Sequence, residues 1–112
     1  MRETSIPHER LTEFAAACLE RLGLERADAR LVAESLVAAN LRGVDSHGVV
    51  RLPHYATRLR NGTIKPRPNI TVQRSGASSA TVEGDAGMGQ LVAARAMREA
   101  IALARESGVG AV

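Results

Sequence analysis

The chain has 112 residues, 45% of them hydrophobic, which is enough for one small domain with a real core. Fifteen basic against 12 acidic residues leave a net charge of +3, but the charges are interspersed and only Phe14 and Tyr55 are aromatic, so neither a basic stripe nor a stacking platform for nucleic acid is present. A single cysteine, Cys18, excludes an intrachain disulfide, no apolar run is long enough to span a bilayer, and Met1 to Ser5 lack the hydrophobic segment of a signal peptide, so a cytoplasmic location without membrane partners is expected.

From Pro7 to Leu22 the residues Leu11, Phe14, Ala15, Cys18, Leu19 and Leu22 recur at intervals of three and four, the pattern of a helix with one buried stripe. Pro7 suits its first turn and Gly23 its left-handed stop. His8 reads as a solvent-facing residue of that first turn and Cys18 as a small core residue. A second helix, Arg26 to Leu41, has Ala27, Leu31, Val32, Ser35, Leu36 and Ala39 as its expected inner face and Glu25, Arg26, Arg30 and Glu34 towards water. Gly43 closes it.

The densest chemistry follows, in Asp45-Ser46-His47-Gly48-Val49-Val50-Arg51-Leu52-Pro53-His54-Tyr55. Asp45 or Ser46 suits an N-cap, and the spacing predicts a third helix from about Ser46 to Arg60, kinked at Pro53 and ended by Asn61-Gly62. On such a helix His47, Arg51 and Tyr55 lie four apart and share one face. That face suits a small anionic substrate: Arg51 offers a planar fork of donors, Tyr55 a hydroxyl, and His47 a group that exchanges a proton near neutral pH. Ser46 is placed to orient the imidazole or bond a substrate oxygen. The plain alternative is an ordinary helix start with exposed polar residues, and His54, on another face, reads as surface.

Thr63 to Asn69, with Pro66 and Pro68, reads as an extended connector, so the expected division is a helical subdomain over residues 1–64 and a second unit over 65–112. Ile70 to Gln73 and Ala80 to Glu83 look like a hairpin, and a helix to about Glu106 follows, with Leu91, Val92, Met97, Ile101 and Ala104 inward. Between them lies Gly84-Asp85-Ala86-Gly87-Met88-Gly89-Gln90. Glycines before a helix start invite a phosphate-binding reading, but the order G-x-x-G-x-G matches neither the dinucleotide fingerprint nor a P-loop. Gly87 and Gly89 are therefore weak cofactor candidates, and a tight structural turn is the alternative. No metal site is expected. Gly108-Val109-Gly110-Ala111-Val112 reads as a helix stop and the opening of a strand without a partner in the chain, so a fragment of a longer protein is expected.

Asn40-Leu41-Arg42-Gly43-Val44-Asp45-Ser46-His47-Gly48-Val49, with Arg51-Leu52-Pro53, Tyr55, Arg58-Leu59, Asn61-Gly62 and Ile64, strongly resembles the malate/L-lactate dehydrogenase family. Gly84-Asp85-Ala86-Gly87-Met88-Gly89-Gln90, with Val92-Ala93, Ala96-Met97, Ala100-Ile101 and Gly108-Val109-Gly110, is a second match in the right order. The resemblance implies an N-terminal part of an α/β enzyme, α+β in the residues present, whose helical subdomain precedes the start of a non-Rossmann NAD(P)-binding mixed-sheet domain. It implies NAD or NADP as cofactor, a 2-hydroxy or 2-oxo acid, or a related 2-imino acid, as substrate, and a homodimer at full length. Ser46 and His47 would match a proton-relay pair, Arg51 the arginine that holds the substrate carboxylate, and Tyr55 a pocket tyrosine. A further family histidine and most of the cofactor site would lie beyond Val112, so this chain alone would be inactive. The reading kept beside it is a non-catalytic helical interaction module or remnant.

Overall fold

The computed structural model describes residues 3–112, which form two compact units, one ending at Pro66 and the other beginning at Arg67. Four helices and a two-stranded antiparallel sheet make the fold α+β in the residues present.

In the first unit α1 (His8–Arg21) packs on α2 (Arg26–Leu41). Ala15, Ala16 and Leu19 meet Ala29, Val32, Ala33, Leu36 and Val37, all buried. The alanines let the two backbones approach, and the leucines and valines fill the seam between them. Thr12 is buried on the same side and satisfies its hydroxyl by donating to the His8 carbonyl at 2.8 Å. Both helices end alike. At the end of α1 the Leu24 amide donates to the Leu19 carbonyl and Gly23 to Glu20; at the end of α2 Val44 donates to Ala39 and Gly43 to Asn40. This double closure needs a left-handed residue at its centre, and Gly43 supplies it with φ 77°.

The inner faces differ in part from expectation. Phe14 is 63% exposed, and Ala27 and Ser35 also face water. The apolar stripe of α1 is wider than the surface α2 covers. Its other edge, with Leu11, Cys18 and Leu22 half-buried, lines an open groove of about 760 Å³ shared with Leu52, Pro53 and Leu59 of α3 (Leu52–Arg60). Leu59 and Ile64 are buried and anchor α3.

The third helix is shorter than its sequence suggests. Two 3₁₀ turns, Asp45–His47 and Val49–Arg51, precede α3, and extended Gly48 (φ −92°, ψ −152°) separates them. Pro53 sits in the first turn of α3, where its missing N–H costs nothing, rather than kinking a longer helix.

In the second unit β1 (Thr71–Arg74) pairs with β2 (Ala80–Glu83), Thr71 opposite Glu83 and Arg74 opposite Ala80. The first strand lies one residue later than expected. α4 (Gly89–Ser107) packs on β2, and Met88, Leu91, Leu103 and Ala80 form a small core. Met97 and Ile101, expected inward, are exposed, because the two-stranded sheet is too narrow to cover that side of α4. Nor is the final segment without a partner. Ala111 forms a parallel bridge to Ser79, donating its amide to the Ser78 carbonyl at 2.8 Å and accepting from the Ala80 amide at 2.9 Å.

Arg74 ties the hairpin to α4. Its Nε donates to Glu99 at 2.9 Å and its two terminal nitrogens to both Glu106 carboxylate oxygens, at 2.6 and 3.2 Å. The bidentate bond from Arg74 holds the Glu106 carboxyl below the usual glutamate range. A depressed carboxyl contributes stability that is present above its unfolded-state pKa and lost as pH falls through its folded value. Acidification below about pH 4.3, the ordinary glutamate value, therefore destabilises the second unit partly through this group. Thermal melts at stepped pH should show a smaller acid loss in Glu106→Gln than in the parent protein.

Candidate functional site

The site residues are carried by the segment between α2 and α3. Ser46 and His47 occupy the first 3₁₀ turn, and the Ser46 hydroxyl meets His47 Nδ1 at 2.9 Å. Either group can donate this bond. If the hydroxyl donates, the imidazole carries its proton on Nε2; if Nδ1–H donates, Nε2 is a base. The contact is thus compatible with either neutral tautomer of the imidazole. Both residues are exposed.

Arg51 ends the second turn and reaches back, donating from Nε to the Ser46 carbonyl at 2.9 Å. Its guanidinium is thereby fixed to the same turn as the imidazole. With Nε occupied, the end face formed by Nη1 and Nη2 is the edge for a bidentate carboxylate. Tyr55 lies one turn further, half-buried on α3, its ring 6.3 Å from that of His54.

These residues are gathered for a different reason from the one their spacing suggests. No continuous helix joins His47 to Arg51, because Gly48 is extended between them. The return of the Arg51 side chain makes the connection instead. Neither Asp45 nor Ser46 caps a helix through its side chain. The Asp45 carboxylate accepts from Asn40 and the Ser46 hydroxyl engages the His47 ring.

Asn40, in the last turn of α2, is the residue the sequence reading assigned no role. Its Nδ2 donates to Asp45 Oδ1 at 2.8 Å, and its Oδ1 accepts from the Val49 amide at 3.0 Å. The carboxamide thus spans the Ser46-His47 turn from both sides. Gly48 is buried beneath it, and a Cβ there would fall on the Asn40 carboxamide itself. Glycine at 48 is required for space, since its backbone angles suit any residue. Asn is a weak helix former, and its place at the end of an Ala- and Leu-rich helix was the available signal.

The glycine loop of the second unit behaves as a turn. Gly87 donates to the Gly84 carbonyl at 2.9 Å, and Asp85 and Ala86 between them have φ of 51° and 57°. Ala86 in this region carries a cost on the order of 1–2 kcal/mol. Asp85 helps hold the turn by accepting the Asn69 amide at 2.8 Å. A Cβ on Gly87 would strike Pro68, and one on Gly84 would strike Val92, so the missing side chains make room for the chain itself. Gly89, at the start of α4, has open space around it but adds no side-chain donor. Among the described residues no cluster of His, Cys, Asp and Glu could hold a metal ion, and no helix is long and apolar enough to cross a membrane.

A family model described as malate/L-lactate dehydrogenase matches residues 6–112. Malate dehydrogenase of Pyrococcus horikoshii is 44% identical over 107 residues, 96% of this chain and 30% of its own length. Its solved structure superposes with a TM-score of 0.92 at 43% identity, over 96% of this chain and 31% of that one. Ureidoglycolate dehydrogenase (NAD(+)) of Escherichia coli is 37% identical over 107 residues, 96% of this chain and 31% of its own. The solved Δ1-piperideine-2-carboxylate reductase of Pseudomonas syringae superposes with a TM-score of 0.83 at 25% identity, over 92% of this chain and 31% of that one. The chain thus spans roughly three-tenths of the length of these relatives. With the family model matching nearly end to end, the chain belongs to the malate/L-lactate dehydrogenase family.

Proposed function

We propose that this chain is the N-terminal part of an NAD(P)-dependent oxidoreductase that moves hydride between a nicotinamide and carbon 2 of a small 2-hydroxy acid, malate- or lactate-like, or of a related 2-imino acid. The observation that carries this reading is the attachment of Arg51 to the Ser46-His47 turn through the Ser46 carbonyl. A carboxylate anchor and a proton-exchanging imidazole are thereby built on one short piece of backbone. A 2-hydroxy acid has its carboxylate and reacting hydroxyl on adjacent carbons, so it needs the two groups close and mutually fixed.

In this reading Arg51 holds the carboxylate through its terminal nitrogens and Tyr55 lines the pocket. Ser46 orients His47, which takes the hydroxyl proton in oxidation and returns it in reduction. Malate and ureidoglycolate, named for two relatives, carry a hydroxyl beside the carboxylate, and piperideine-2-carboxylate, named for a third, carries an imine there. The shared chemistry is the carboxylate next to the reacting carbon. The cofactor, NAD or NADP, supplies hydride acceptance when bound; NAD is supported by the Escherichia coli relative, a ureidoglycolate dehydrogenase (NAD(+)). A homodimer at full length and a cytoplasmic location belong to the same reading.

A second reading, a helical interaction module without catalysis, is favoured by the open apolar groove beside exposed Phe14. One experiment separates the two. The longest product of the reading frame that carries this chain is assayed for NAD(P)H formation with a panel of 2-hydroxy acids. A hydrogen bond to a charged group contributes about 1.5–3 kcal/mol, so Arg51→Ala should lower kcat/KM by roughly tenfold or more, chiefly through KM. Absence of turnover with every acid, or full activity in Arg51→Ala, removes the dehydrogenase reading of these residues.

A further inference from the structure

Resting on the oxidoreductase reading, we propose that Asn40 is a positioning residue that sets the orientation of the Ser46-His47 pair. The turn bearing these residues is exposed, and none of its own side chains is buried. What fixes it is polar. Backbone bonds from His47 to the Val44 carbonyl and from Gly48 to the Asp45 carbonyl, both 3.1 Å, shape the turn without attaching it to the helices. Attachment comes from Asn40 on its two flanks and from Arg51 on the Ser46 carbonyl.

The requirement at position 40 is chemically narrow. One group must donate to the Asp45 carboxylate and accept from the Val49 amide at the same time. A carboxamide does both. Aspartate would lack the donor and face Asp45 with like charge, leucine has neither function, and glutamine places the amide a methylene further on. The space the carboxamide fills exists because residue 48 is glycine. Asn40 is itself held by α2, whose preceding turn buries Leu36 and Val37. It carries the rigidity of the α1 and α2 core to a turn that has no core of its own. The Ser46 hydroxyl to His47 Nδ1 bond is made within that turn, and which of the two groups donates it sets which imidazole nitrogen carries the proton.

The test reads the imidazole directly. Long-range ¹H–¹⁵N spectra of the 112-residue protein report the protonation and tautomer of His47, with Ser46→Ala as the reference for loss of the hydroxyl bond. Asn40→Asp and Asn40→Leu should move the His47 nitrogen signals to those of Ser46→Ala while the amide shifts of α1 remain those of the parent. Asp45→Ala removes one arm of the bridge at an exposed side chain and should move the signals in the same direction by a smaller amount. Parent-like His47 signals in folded Asn40→Leu overturn the proposal; should that variant not fold, parent-like signals in Asp45→Ala overturn it. In the longest product of the frame, Asn40→Asp should lower kcat about tenfold or more, part of the roughly 10²–10⁴-fold that a placed acid–base group contributes, with a smaller rise in KM. Rescue of kcat by Asn40→Gln would also overturn it. If that product has no turnover the oxidoreductase reading falls, and the His47 spectra decide the role of Asn40 independently.

Discussion

The arrangement depends on one carboxamide that faces two ways. Asn40 donates to Asp45 and accepts from the Val49 amide, so a helix that is part of the core holds a turn that is not. A single neutral bond of this kind contributes about 0.5–1.5 kcal/mol, and a bond to a carboxylate about twice as much. Those are modest amounts against the stability of a domain. They are large against the freedom of a four-residue turn, which would otherwise sample several conformations. The same geometry explains buried Gly48, whose missing side chain is the space the carboxamide occupies.

Around this bridge the parts take separable tasks. The seam of α1 and α2 supplies rigidity through close alanine and leucine packing, and the left-handed Gly43 directs the chain off α2 into the turn. Arg51 then returns to the Ser46 carbonyl, so that the guanidinium and imidazole are referred to the same peptide. In the second unit the glycine loop turns the chain from β2 into α4, and Arg74 fastens β1 to α4 by charge. The missing side chains of Gly84 and Gly87 leave room there for Val92 and Pro68.

Much of this was legible in the sequence where local signals and tertiary packing agree. The bounds of α2, its closure at Gly43 and the strand Ala80–Glu83 follow from composition and punctuation alone. Periodicity misled where it records an apolar face without recording what covers it. Phe14, Met97 and Ile101 have the right spacing for a core and lie exposed. The segment from Ser46 to Arg51 misled for another reason: its residues carry helical spacing, but a long-range side-chain bond from Asn40 captures the Val49 amide and leaves Gly48 extended. No local pattern announces such a bond. Of the candidate residues, the structure joins Ser46, His47 and Arg51 by hydrogen bonds.

The most direct test of a preformed site is hydrogen exchange at the Val49 amide, which opens the second 3₁₀ turn and spends its proton on Asn40 Oδ1. Exchange as slow as that of the last turn of α2 would mean that the turn is held in place by the helix that precedes it, before any substrate arrives. Exchange at the rate of an unstructured peptide would mean that the bridge is open most of the time, and that the Ser46-His47 pair is not organised by this part of the protein.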